Sequence, residues 1–263
     1  MPDFYESLRK ITSQERDIQA FQNQMPHEST VELRRLHEKT MMGFLLAIPH
    51  PKHILMIGLR GGSLADFCYA NLPQCQITIV NESCDKCMID KTIQTTKCDA
   101  RINQISADGA DFVRDAKPEF DVILIDNCDF ETQSAQLCTK EFYENCCRIL
   151  SLKGILVVNF DCEHPAYAVF IERINQTYKG NFVEISVVGK PNYIVMARKD
   201  IPISARGMSL SWTLGHHAST TRAHLKNELQ RILHYLDSLE PYGQGTHDIP
   251  DTTSLSNQNI HFL

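Results

Sequence analysis

The sequence predicts an α/β fold with a doubly wound, mostly parallel sheet, and three observations carry that expectation. Short apolar runs bounded by Pro and Gly recur along the chain. Segments with helical periodicity separate them. The last two runs are joined by a four-residue turn and read as an antiparallel edge pair. Strands alternating with helices at this spacing bury both faces of a sheet, which is why their apolar runs are nearly continuous.

The elements follow in order. Residues 28–47 place Leu33, Leu36, Thr40, Met41, Phe44 and Leu45 at roughly helical spacing, and Pro49 and Pro51 end the helix. His53 to Gly58 is a buried-strand signal. Gly61 and Gly62 make a turn into a helix reaching about Asn71, with Ser63 as its expected N-cap. Residues 76–80 form the next strand and 85–95 a helix. A short strand over 101–105 runs out to Asp108, and 109–116 is a short helix. Residues 120–125 form a strand and 139–150 a helix. Lys153 and Gly154 read as a turn, followed by a strand over 155–158 and a helix over 166–178. Residues 182–188 and 193–197 are the closing pair, and 222–239 a last amphipathic helix. From Glu240 the chain is rich in Gly, Pro, Ser, Thr, Asn and Gln and reads as a tail. The expected division is a short N-terminal hairpin segment and helix (1–50), a central domain (51–200), and a C-terminal helix with its tail (201–263).

Composition narrows the function. At 263 residues with 43% hydrophobic and 22% charged residues, the chain can bury a sizeable core. A formal net charge of -6 argues against nucleic acid as a partner, because polyanion-binding surfaces cluster Lys and Arg. No apolar run is long enough for a membrane span, and residues 1–10 lack a signal-peptide core, so a cytoplasmic location is expected. Ten cysteines are present. Without a secretion signal their default is the reduced thiol. Cys84 and Cys87 form one C-x-x-C, with Cys98 as the nearest third ligand and no fourth, so no metal site is expected. His216 and His217 are expected at the surface, and Trp212 as an anchor for the C-terminal segment.

Chemistry is expected outside the carboxyl ends of the parallel strands. The first strand ends in the turn Gly58 to Ser63, where Gly58, Gly61 and Gly62 let a ligand approach the backbone and the next helix offers free N–H groups. The second ends at Asn81, with Glu82 beside it; nucleoside-binding folds place a carboxylate at this point for the ribose hydroxyls, and Asn81 lacks that charge. The third ends at Asp108, and the fourth delivers Asp126 and Asp129 to the same edge. Helix capping and turn formation are the competing uses of such carboxylates.

Read together, these strand ends resemble the spermidine synthase (polyamine aminopropyltransferase) family, closest to its compact bacterial branch. The likeness covers roughly residues 16–200. It rests on residues 41–46, His53 to Leu64, Ile102 to Asp108, Phe120 to Asp126, Leu137 to Tyr143 and Leu150 to Asn159. It implies a Rossmann-like domain of the class I methyltransferase type, with decarboxylated S-adenosylmethionine as cosubstrate and no metal. Gly58, Gly61 and Gly62 would then line the nucleoside site, Asn81 would stand where the family has its ribose-binding Glu, and Asp108 would meet the adenine. Asp126 would be the catalytic acid–base group. Asp129 and Gln24 would help hold a small-molecule amine, and a homodimer is implied. The chain departs from the pattern at Arg60, which replaces a glycine, at Asn81, and after Asp129, where the usual Pro and Gly are missing. A class I methyltransferase using S-adenosylmethionine, and an inactive nucleoside-binding homologue, are the alternatives.

Overall fold

The computed structural model describes residues 32–33, 35–58, 62–81, 100–126, 135–206, 208–215, 217 and 219–239. The expected helix over 85–95, the C-x-x-C pair, Arg60, His216 and the side chain of Trp212 lie outside the described residues.

Seven strands form one sheet: β1 (His53–Ile57), β2 (Gln76–Asn81), β3 (Ile102–Ser106), β4 (Phe120–Ile125), β5 (Leu150–Asp161), β6 (Phe182–Ser186) and β7 (Asn192–Arg198), in the order β3-β2-β1-β4-β5-β7-β6. The first five are parallel, and β7 runs antiparallel to both β5 and β6. This is the expected Rossmann-like sheet with its antiparallel edge. Seven α-helices are described: α1 (Leu36–Met41), α2 (Ser63–Asn71), α3 (Gly109–Asp115), α4 (Lys140–Ile149), α5 (Tyr167–Tyr178), α6 (Leu210–Gly215) and α7 (Ser219–Leu239). Short 3₁₀ turns cover Met42–Leu46 and Ala135–Cys138.

The period of two in the strands sorts the core into two layers. Ile54 and Met56 of β1, Val122 and Leu124 of β4, and Ile155 and Val157 of β5 face Phe44, Phe67, Leu225 and Ile232. Leu55 and Ile57, Ile123 and Ile125, and Leu156 and Val158 face Val113, Phe142 and Ile174. These side chains are almost wholly buried. At about 25 cal/mol per Å² of apolar surface, the two layers supply most of the folding free energy. Both ends of the described chain join the first layer. Thr40 donates to Glu228 Oε1 at 2.6 Å, and His224 meets the backbone of Leu33.

Four sequence expectations are corrected. The first helix begins at Leu36 and tightens to 3₁₀ after Met41. Lys153 and Gly154 do not interrupt β5, which runs continuously from Leu150 to Asp161. The pairing with β4 skips from Phe120↔Leu150 to Val122↔Ile155, so the turn-forming residues make a bulge, with Lys153 at φ 68°. Ser63 is not the N-cap of α2; Gly62 is, at φ 68°. His217 is buried rather than at the surface, with its ring 5.9 Å from that of His50. The thiols of Cys68, Cys75, Cys138 and Cys146 are free and buried, and burial pushes Cys75 up to about 12 and Cys138 to about 11. Protonated thiols are poor nucleophiles, so these cysteines are core residues.

Gly109 tests how tightly the ligand-facing end of the sheet is packed. A Cβ there would stand 2.5 Å from Ile57 Cγ2 and 3.2 Å from Leu137 Cδ2. Ile57 is β-branched and fixed in β1, so it cannot swing away. Gly109→Ala is expected to destabilise the protein by about 1–3 kcal/mol, measured by urea unfolding.

Candidate active site

The strand order reverses between β1 and β4, which pair with opposite neighbours. Loops leaving the carboxyl ends of such adjacent strands diverge and leave a crevice. The crevice edge is built from residues that the pairing brings level. Ile57 pairs with both Val80 and Ile125, so Gly58 and Asp126 leave the sheet side by side. Asp126 N donates to Ile57 O at 3.3 Å, and Gly58 N to Val80 O at 3.3 Å. Gly58 has φ 73°, a conformation that side chains disfavour, and it is buried at the turn.

Asp126 is buried, yet its carboxyl is held below the ordinary value of 3.8. Burial alone would raise it; the His37 imidazole close by, the hydrogen bond from Asn159 and the positive charge of Arg35 nearby overcome that effect. Asn159 Nδ2 donates to Asp126 Oδ1 at 2.8 Å, and His37 Nε2 lies 3.7 Å from the same oxygen. Asn159 accepts in turn from Asn192 Nδ2 at 3.1 Å. Both Asp126 contacts fall on Oδ1, so Oδ2 is the oxygen available to a ligand.

His37 comes from α1, whose orientation is set by Glu38. Glu38 is buried; its Oε1 accepts from the Ser63 hydroxyl and its Oε2 from Arg35 N at 3.3 Å. Ser63 therefore spends its hydroxyl on Glu38, which is why Gly62 takes the cap position. One nitrogen of His37 and carboxylate oxygens of Glu38 and Asp126 lie within 4.8 Å of one another. Two buried carboxylates at that spacing suit a cation, whether a metal ion or an ammonium group.

The remaining predicted residues are partly gathered. Gly58, Gly62, Asn81, Asp108 and Asp126 all stand at the carboxyl edge. Asn81 ends β2 opposite Ser106, and its carbonyl accepts from Ala107 N at 3.1 Å. Asp108 is the N-cap of α3: its Oδ1 accepts from Ala110 N at 2.7 Å and Asp111 N at 2.9 Å. It acts as a helix cap through one oxygen. Gln24, Gly61 and Asp129 lie outside the described residues. Sequence reasoning missed His37, Glu38, Asn159 and Asn192. The first two stand inside a helix read only for its apolar face. Asn159 follows an apolar run read only for burial, and Asn192 falls in the four-residue turn read between the closing strands.

Removing the Asp126 charge gives a signed test. A carboxyl held below its unfolded value contributes stability above that value and loses it as pH falls through the folded one. The stability difference between wild type and Asp126→Asn is therefore expected to shrink as pH falls below about 4, followed by chemical unfolding at stepped pH.

Comparison with known proteins agrees with this geometry. The profile described as "Spermine/spermidine synthase domain" matches residues 35–196, a span that includes His37, Gly58, Asn81, Asp108, Asp126 and Asn159. The polyamine aminopropyltransferase of Chromobacterium violaceum is 33% identical over 185 residues, covering 70% of this chain and 71% of the relative. That of Neisseria meningitidis serogroup A is 31% identical over 183 residues, 69% and 70% of the two chains. Among solved structures, a probable spermidine synthase from Corynebacterium glutamicum superposes with a TM-score of 0.57 at 15% identity, over 86% of this chain and 87% of that one. Human methyltransferase-like protein 13, in complex with SAH, gives 0.56 at 21% identity, over 82% and 98%. The two structures share the fold. The length and identity of the sequence matches carry the further conclusion: this chain belongs to the spermine/spermidine synthase family.

Proposed function

We propose that this protein transfers an aminopropyl group from decarboxylated S-adenosylmethionine to a small polyamine or related amine, with Asp126 as the proton acceptor. The observation that carries the reading is a buried, ionised carboxylate beside the turn at Gly58, on the edge where the fold binds nucleosides. Membership of the family, and relatives named polyamine aminopropyltransferase, support the same reaction.

The chemistry follows from the groups present. An amine in water is protonated up to a pKa of ~10.4, and only its free form can attack. The nitrogen forms a bond to the carbon next to the sulfonium, the carbon–sulfur bond breaks, and methylthioadenosine leaves. The sulfonium needs no further activation. The protein must orient two reactants and take a proton from the incoming ammonium. In water a carboxylate is a weak base for this, with a gap of roughly 6 pKa units. Excluding water narrows that gap, because an ammonium–carboxylate pair is less well solvated there than a neutral amine and acid. Asp126 is nearly enclosed, so its Oδ2 suits that transfer, directly or through one water. Glu38, within 4.8 Å of the same cluster, adds a second negative charge facing a cationic substrate.

The nucleoside would lie along the carboxyl edge, with Gly58 and Gly62 allowing close backbone approach. Asn81 would meet the ribose with neutral hydrogen bonds. Asp108 would reach the base through the oxygen that does not cap α3. By the resemblance to the family, Gln24 and Asp129 would help hold the amine.

Calorimetric titration with decarboxylated S-adenosylmethionine, S-adenosylmethionine and methylthioadenosine tests the donor, and product analysis with α,ω-diaminoalkanes tests transfer. Binding of the decarboxylated donor in preference to S-adenosylmethionine is expected. Asp126→Asn should lower kcat by about 10²–10⁴ and leave donor binding nearly unchanged. Preference for S-adenosylmethionine, or binding of none of the three, would overturn the proposal.

A further inference from the structure

We infer that Asn159 and Asn192 form a polar relay across three strands that positions the catalytic carboxylate, with Asn192 acting on Asp126 only through Asn159. The inference rests on the reading of Asp126 as proton acceptor and extends it to two residues on strands β5 and β7.

The relay is a product of register. Ile125 pairs with Val158, so the next residues along, Asp126 and Asn159, are level on neighbouring parallel strands. Asn159 pairs with Ile194 across the antiparallel β5–β7 ladder, and Asn192 stands two residues along β7 from that partner. Residues two apart on a strand share a face, and such diagonal neighbours lie within reach of polar side chains. Three polar groups thus run in a row along the ligand-facing edge: a carboxylate, an amide and an amide.

The direction of the hydrogen bonds matters more than their number. A primary amide offers donors at one end and acceptors at the other. Asn192 Nδ2 donates to Asn159 Oδ1, so the carbonyl end of Asn159 is taken. Its amino end must then face Asp126, where it donates to Oδ1 at 2.8 Å. Turned the other way, Asn159 would set a carbonyl against a carboxylate. Asn159 has no exposed surface, so this amide cannot exchange partners with bulk water. Asn192 is only partly buried and is held by the β6–β7 turn, where Val187 N donates to Asn192 O at 2.9 Å. The relay therefore ties the rotamer of Asp126 to the closing hairpin.

Two consequences follow. Oδ1 of Asp126 is occupied, so the syn and anti positions of Oδ2 are what an incoming amine meets. The carboxylate is also kept in one rotamer, which a positioned acid–base group requires. Among the described residues, the charged or titratable groups that act on Asp126 are His37 of α1 and Arg35 at the start of that helix, with Glu38 beyond them. The relay itself is neutral, so replacing its members by apolar residues changes geometry and hydrogen bonding without adding charge.

The test is a double-mutant cycle built on the nearly isosteric change of Asn to Leu. With decarboxylated S-adenosylmethionine and an α,ω-diaminoalkane as substrates, Asn192→Leu is expected to lower kcat by about three- to tenfold, while the donor KM stays within about twofold. Asn159→Leu should lower kcat further. Adding Asn192→Leu to Asn159→Leu should then do nothing more, because the relay is already cut. Equal losses in both backgrounds, or a loss in donor KM in place of kcat, would overturn the inference. A second readout does not depend on turnover: the pH midpoint of the Asp126 carboxyl by ¹³C NMR, assigned by its disappearance in Asp126→Asn. Asn192→Leu should raise that midpoint in the wild-type background and leave it unmoved in Asn159→Leu. If the wild type transfers no aminopropyl group, the proposed reaction falls, and the carboxyl midpoint still decides the relay. Because Asn192 is partly exposed, its single variant remains decisive even if Asn159→Leu does not fold; an unshifted midpoint would then count against the relay.

Discussion

The pairing of β1 with β4 is the constraint on which the site depends. Their register sets Gly58 and Asp126 side by side at the point where the strand order reverses. A slip of one residue in either strand would turn Asp126 toward the opposite face and expose an apolar residue at the crevice. The register is protected by burial on both faces. Ile123 and Ile125 pack against one helical layer while Val122 and Leu124 pack against the other, all nearly inaccessible to solvent. Shifting the strand would exchange these sets and misfit both layers at once. The acid at the strand end is therefore placed by the core beneath it.

A second constraint closes the site from the side. α1 has only six residues, too short to hold together alone, and its position comes from tertiary contacts. Thr40 is bonded to Glu228 of α7, Leu33 meets His224 of the same helix, and Glu38 is bonded to Ser63 at the head of α2. These links bring His37 to Asp126. Glu38 serves two ends: it accepts from its own helix start and ties that helix to the segment leaving the glycine turn. A buried polar group that loses such donors carries a desolvation penalty of about 1–3 kcal/mol, and a charged one more, so losing these bonds is disfavoured.

Much of this is legible in the sequence, for identifiable reasons. The strands stand out because burial on both faces leaves a continuous apolar run with sharp Pro and Gly boundaries. Asp126 stands out because it follows such a run directly. What is not legible depends on contacts between distant segments. Ser63 reads locally as an N-cap, and its hydroxyl is instead drawn to Glu38, 25 positions away. Lys153 and Gly154 read as a turn, and the neighbouring strand absorbs them as a bulge. His217 reads as a surface residue in a Ser/Thr-rich connection, and it is buried with its ring beside that of His50. Asn159 is the clearest case. Just past the apolar run 155–158 it carries no signal of its own, and its meaning appears only when β4 and β7 are placed on either side.

The site holds two opposing demands on one carboxylate. A group that takes a proton from an ammonium works best with a high affinity for it, whereas hydrogen bonds to the ionised form lower that affinity. Asp126 accepts from Asn159 and lies near His37 and Arg35, all of which favour the ionised form. In the proposed reaction, what this arrangement gains is a carboxylate that is charged and fixed in rotamer before the amine arrives. A cationic substrate would be attracted by that charge, and its entry would displace water from the crevice. Removal of water would then raise the carboxylate's proton affinity at the moment of transfer. In this order the proposed base would be tuned by the substrate it binds. The neutral relay suits that order better than a second charged partner would, because amides fix geometry without competing with the ammonium for the carboxylate's charge.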